Sequence, residues 1–200
     1  MSERALSIEE RRFLALLFAV VFTLSIFFTP FFPWINGYTG IYCEAGYIDI
    51  TINGRGDGEL RYSTYVGKGK VKFSCPMVLV FSIIFVISCL LYLFLIGRIF
   101  YRSYESKKST QHFYSEAAKF MILYGILILA IAYVFLMTYR DFPVHGIEGV
   151  NTVGDLEDYA TSLGCELVWF GVAFGFEWII VVGVVNVIVG ILMLSPMWTS

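Results

Sequence analysis

Four apolar runs, each long enough to cross a lipid bilayer, decide what this chain can fold into: residues 13–32, 77–96, 120–137 and 167–194. About 20 apolar residues in a helix cover a hydrocarbon core roughly 30 Å thick. Inside it each backbone polar group must be satisfied within the chain, so such runs are helices. With 58% hydrophobic and only 15% charged residues, the composition lies outside the range of soluble domains. The expected fold class is an all-α membrane protein, a four-transmembrane-helix bundle with a small three-stranded antiparallel β-sheet in the first extracellular loop. Residues 1–200 form a single membrane domain, with a β-rich outer loop at 33–75 and an acidic outer loop at 139–166.

Four spans put both termini on one side. The terminal side carries eight basic residues (Arg4, Arg11, Arg12, Arg98, Arg102, Lys107, Lys108, Lys119) against six on the other (Arg55, Arg61, Lys68, Lys70, Lys72, Arg140). Basic residues favour the cytoplasmic side, so N and C termini are expected in the cytoplasm and the protein in the plasma membrane. The first run exceeds the apolar core of a signal peptide and lacks a small-residue cleavage site, which predicts a retained anchor. Aromatic belts are expected at Trp34, Tyr38, Tyr139 and Trp169 outside, and at Tyr101, Tyr104, Tyr114 and Trp198 inside. A net charge of −2 without a basic stripe gives no footprint for nucleic acid.

In the first outer loop Ile48, Ile50 and Ile52 alternate with polar residues, and the pattern resumes at Leu60, Tyr62, Thr64 and Val66 and again at Val71 and Phe73. Period two reads as half-buried strands, with Asn53, Gly54, Gly56 and Gly58 as turn residues. Cys43 and Cys75 bracket this meander. A bridge between them would close a loop worth about 3 to 4 kcal/mol; free thiols, or pairing with Cys165, stay open. Cys89 reads as a small packing residue. The second outer loop holds Asp141, Glu148, Asp155, Glu157, Asp158 and Glu166. Glu148, Asp155, Glu157 and Asp158 are candidate ligands for a hard cation, but their spacing matches no EF-hand loop. A solvated acidic loop facing Lys68, Lys70 and Lys72, with a short surface helix at 155–162, is the plainer reading.

No catalytic set stands out. His112 and His145 fall on opposite sides of the membrane, and the motifs of metalloproteases, serine hydrolases and phosphate-binding loops are missing. No cofactor is expected. The residue that demands explanation is Glu177, since an ionisable group within a span is costly and often functional. At 100° per residue Gly171, Gly175, Gly183, Asn186 and Gly190 share one arc and Glu177 lies opposite. Small residues permit close helix packing and Asn can bond across it, so this arc is expected to pack within the bundle. Glu177 would then be a neutral acid bonded to a hydroxyl such as Ser82, Ser88, Tyr124 or Tyr133, a contact to another chain, or an ion-moving group.

Trp34, Asn36, Gly37 and Cys43, placed just beyond the first span, together with the layout of spans and loops, resemble the start of the first-loop motif of claudin-like tetraspan membrane proteins. That resemblance implies cytoplasmic termini, a sheet in the larger first loop with a cysteine pair, and a short basic inner loop. The chain departs from it at Gly40, Ile41 and Tyr42, where the family has Gly-Leu-Trp, and in the 32-position spacing of Cys43 and Cys75. The function expected from these features is a non-enzymatic membrane protein making lateral or partner contacts, as a homo-oligomer or a small accessory subunit. Its partners would be membrane lipids and other membrane subunits or itself. The alternative is a transporter or channel component using Glu177.

Overall fold

The computed structural model describes residues 7–38, 46–64, 67–105, 110–163 and 167–195. Helix α1 (Ile8–Leu24) runs on into a 3-10 segment, Ser25–Phe31. It starts at a capping box: Glu10 N donates to Ser7 Oγ (3.3 Å) and Ser7 N to Glu10 Oε2 (2.8 Å), which satisfies two of the amides a helix start leaves open. Helices α2 (Pro76–Glu105) and α3 (Thr110–Thr138) follow, then the short α4 (Asp155–Ser162) and α5 (Phe174–Leu194). Four segments, Ile8–Phe31, Pro76–Glu105, Thr110–Asp141 and Phe174–Leu194, are long and apolar enough to cross a membrane. This is the build of an integral membrane protein.

The chain divides into two compact units. The first comprises Met1–Ile26, Phe85–Ile131 and Ile180–Ser200 and is helical. Its interior is closed by small residues. A Cβ at Gly125 would stand 2.6 Å from the Gly183 carbonyl oxygen, and one at Gly190 would stand 2.8 Å from the Ala118 carbonyl, so α3 and α5 meet backbone to backbone. Asn186, fully buried, donates from Nδ2 to Thr23 Oγ1 and to Val182 O, both at 2.9 Å. The thiol of Cys89 points to the Thr23 carbonyl (3.5 Å). Through Thr23, Cys89 and Asn186 the unit ties α1, α2 and α5 with polar contacts, which have few competitors in lipid.

The second unit comprises Phe27–Ile84 and Ala132–Ile179 and contains the sheet. It has five antiparallel strands, not three: β1 (Pro33–Tyr38), β2 (Tyr47–Asn53), β3 (Asp57–Thr64), β4 (Gly67–Ser74) and β5 (Trp169–Val172), in the order β4-β3-β2-β1-β5. The meander β2-β3-β4 follows the alternation of its isoleucines, and Ile48, Ile50, Ile52 and Leu60 are buried. Its first turn is shaped by Asn53, whose Oδ1 accepts from Arg55 N (2.9 Å) and Asp57 N (3.1 Å), with Gly56 at φ +80°. Strand β1 evades a period-two reading because its register shifts between Pro33 and Ile35. A bulge turns consecutive residues to one side, and Trp34 and Ile35 are both fully buried. Strand β5 lies in what reads as the start of the fourth span. The helix begins only at Phe174, because residues 169–172 pair with β1.

Trp34 is therefore a core residue rather than part of an interfacial belt. Its Nε1 donates to Thr29 O at 2.9 Å, and its ring packs on Phe135 (5.6 Å) and Phe176 (5.7 Å). Phe135 stacks on Phe176 at 4.2 Å and meets Phe81 edge-on at 5.3 Å. Gly175 makes the room: a Cβ there would lie 2.9 Å from Trp34 Cδ1.

The second loop is also more structured than a solvated acidic segment. It folds back on itself through Val144 N to Asn151 O and Val153 N to Phe142 O, each 2.9 Å. It buries Phe142, Val144, Val150, Val153 and Leu156 and locks onto the end of β4 by a reciprocal pair, Ser74 N to His145 O (2.8 Å) and His145 N to Ser74 O (2.9 Å). Among the described residues its charges do not pair with the lysines of the first loop. Glu157 pairs with Arg140 (3.0 Å), and Lys70 with Glu59 of its own sheet (2.7 Å). Cys75 carries a free thiol, buried at the junction of β4 and α2, and burial pushes it up to about 11. Cys43 and Cys165 lie outside the described residues, and no disulfide is present among the described ones.

The backbone contact of α3 with α5 yields a paired prediction. Gly125→Ala should destabilise the protein by about 1 to 3 kcal/mol through overpacking. Gly97→Ala, where nothing lies within 4 Å, should leave it unchanged or raise stability by up to about 1 kcal/mol. Thermal unfolding of both variants in detergent checks this.

Candidate functional site

The alternation that buries the isoleucines sends the intervening side chains to the opposite, outward face of the sheet. Register places them in rows. One row runs Trp169, Tyr38, Asp49, Arg61, Lys70; the next runs Gly171, Asn36, Thr51, Glu59, Lys72. Charge gathers on the β3-β4 side, where Glu59 takes both Arg61 and Lys70. Lys70 first, then Arg61, holds the Glu59 carboxyl below its ordinary range, and Glu59, with Asp49 and Tyr47 nearby, raises Arg61. Aromatic surface gathers on the β1-β5 side: Tyr38 and Trp169 pack ring to ring at 6.0 Å and remain exposed, as does Tyr47. Tyr62 is half-buried, its ring over Gly69; Tyr42 and Tyr65 lie outside the described residues. Asn36 Oδ1, beneath this face, is buried without a hydrogen-bond partner.

The two sheet edges are blunted differently. Edge strand β4 presents Lys68, Lys70 and Lys72, while edge strand β5 is only four residues long. Both devices discourage indiscriminate strand pairing, which leaves the outward face, rather than an edge, as the open surface.

Glu177 is not deep in a span. It sits in the first turn of α5, three residues after Phe174, and is exposed. Among the described residues its side chain makes no hydrogen bond to Ser82, Ser88, Tyr124, Tyr133 or any other group. A carboxylate in a first helical turn is stabilised by the helix dipole, and that alone accounts for its place. The small residues expected on one helical arc are separated as well. Gly171 belongs to β5, where a Cβ would stand 3.2 Å from the Trp169 ring; Gly175 opens α5 against Trp34, while Gly183 and Gly190 pack on α3. Asn186 is buried in the helical unit.

The candidate cation ligands are engaged elsewhere. Asp155 Oδ2 accepts from Thr152 N (2.8 Å) and Asn151 N (3.0 Å), and Asp155 N donates to Thr152 Oγ1 (3.3 Å). It is the closing residue of a capping arrangement at α4. Glu157 pairs with Arg140, Glu148 and Asp158 are exposed, and among the described residues no three His, Cys, Asp or Glu side chains come together as a metal site.

Compared with known protein families and with curated proteins, the chain matches none.

Two predictions follow from this arrangement. Glu177→Gln should change stability by less than about 1 kcal/mol, the size of a first-turn dipole contribution; chemical denaturation in detergent measures it. The backbone amides of Thr152 and then Asn151 hold the Asp155 carboxyl below its ordinary value. Its contribution is thus full above about pH 4 and lost as pH falls through the depressed folded value. Asp155→Asn should flatten the acid limb of the thermal midpoint against pH.

Proposed function

We propose that this chain is a non-enzymatic integral membrane protein that makes lateral or partner contacts through the outward face of its sheet, as a homo-oligomer or as a small subunit of a larger membrane complex. One observation carries the reading. A five-stranded sheet displays an exposed, tilted Tyr38–Trp169 ring pair with Tyr47, beside the charged side chains of Asp49, Arg61, Glu59 and Lys70. Aromatic residues and Arg are the side chains that concentrate binding energy at protein contacts, and a sheet holds them without an ordering cost. A claudin-like layout is part of this proposal. It is supported by four span-length helices among the described residues and by a sheet whose first strand begins at Pro33, two residues after the first span-length segment.

The test uses full-length protein in lipid nanodiscs and detergent. Tyr38→Ala with Trp169→Ala should weaken self-association, or retention of a co-purified membrane partner, by at least about tenfold, as expected for an aromatic anchor pair. Thermal stability should fall by no more than about 1.5 kcal/mol for a lost ring contact. Wild-type protein that stays monomeric at every concentration, and extracts from its own membrane with no partner, would overturn the reading.

A further inference from the structure

At the end of the sheet where its strands run into the spans, the outward face is hollow. A pocket of about 510 Å³ lies between Phe31, Asn53, Asp57 and Lys72, with Thr51 and Glu59 on its wall, within the size range of small-ligand sites. Its position follows from chain connectivity. Phe31 ends the first span-length segment, and Pro76, two residues beyond the last residue of β4, begins the second, so the pocket opens at the edge of the apolar zone. Phe31, on its wall, is 68% exposed.

The polar groups of the pocket are not all used by the fold. Glu59 is taken by Lys70 and Arg61. Lys72, although directly opposite Glu59 in the register, is exposed and has no ion-pair partner among the described residues. Asp57 has only a long contact with Arg55, 3.8 Å, and its side chain is 69% exposed. Asn53 spends its Oδ1 on the turn amides of Arg55 and Asp57, which leaves its Nδ2 hydrogens for a ligand. One cation without an ion-pair partner, one carboxylate held only by the long Arg55 contact and an amide donor, beside the exposed Phe31 ring, match a group bearing both charges and an apolar tail.

We propose that this pocket binds the headgroup of a zwitterionic phospholipid from the leaflet on the sheet side. The phosphate sits on Lys72 and Asn53, the ammonium on Asp57, and the acyl chains descend along Phe31. Balanced charge selects against an anionic lipid, whose extra negative charge would meet Asp57.

Native mass spectrometry of the full-length protein in detergent, titrated with phosphatidylcholine or phosphatidylglycerol, tests it. Wild type should bind one phosphatidylcholine in preference to phosphatidylglycerol. Lys72→Glu and Asp57→Lys should each weaken that binding about five- to tenfold, the effect of a charge at a headgroup, while Lys68→Glu, on the same strand and face but outside the pocket, should not. Circular dichroism checks that the sheet survives, and Lys72→Gln serves in place of Lys72→Glu if it does not. Equal phosphatidylcholine binding by wild type and both pocket variants would overturn the site. So would a preference for phosphatidylglycerol, or an equal loss in Lys68→Glu. Soluble phosphocholine binding as tightly as the intact lipid would overturn the role given to the acyl chains.

Discussion

The sheet unit depends on burying one indole. Trp34 enters at the bulge of β1, donates its single N–H to Thr29 and packs against Phe135 and Phe176, with Phe81 behind them. Those four rings come from β1, α3, α5 and α2. Each ring brings a large area out of water or lipid, and the tilted and edge-on geometries add to it. A buried Trp is tolerable only where its N–H is satisfied, and the 3-10 segment supplies that acceptor by placing the Thr29 carbonyl close by. The bulge, the tightened end of the first segment and the glycine at position 175 are thus consequences of a single packing problem.

In the helical unit close approach does the work that hydrophobicity cannot do in lipid. Gly125, Gly183 and Gly190 let α3 and α5 touch through backbone atoms, and Asn186 adds a hydrogen bond to Thr23. The sheet unit solves its charges locally, with Glu59 neutralised by two cations and Asp155 held by backbone amides. Lys72, which has no ion-pair partner among the described residues, borders a hollow.

Much of the architecture was legible from pattern alone. Span length gave the four helices, period two gave β2, β3 and β4, and Asp155 to Ser162 stood out as a helix. What escaped was whatever tertiary pairing decides. Strand β1 lacks alternation because of its bulge and because Gly37 must admit the Phe170 ring, a Cβ there lying 2.5 Å from it. Strand β5 is apolar enough to pass as helix, and only its partner makes it a strand. With residues 169–172 in a strand, Glu177 falls in the first turn of α5 rather than well inside a longer apolar run. The outward aromatic pair was visible as residues but not as a pair, since Tyr38 and Trp169 meet only across the β1-β5 register.

The union of β1 with β5 also orders events in time. These strands come from opposite ends of the chain, so β1 leaves the ribosome long before its partner exists. Until the final span is made, β1 is an unpaired edge, open to the wrong strand, and a pairing of such sequence separation forms late. The four-residue β5 works as a latch: it seals the flank of β1 only once residues 169–172 have been made.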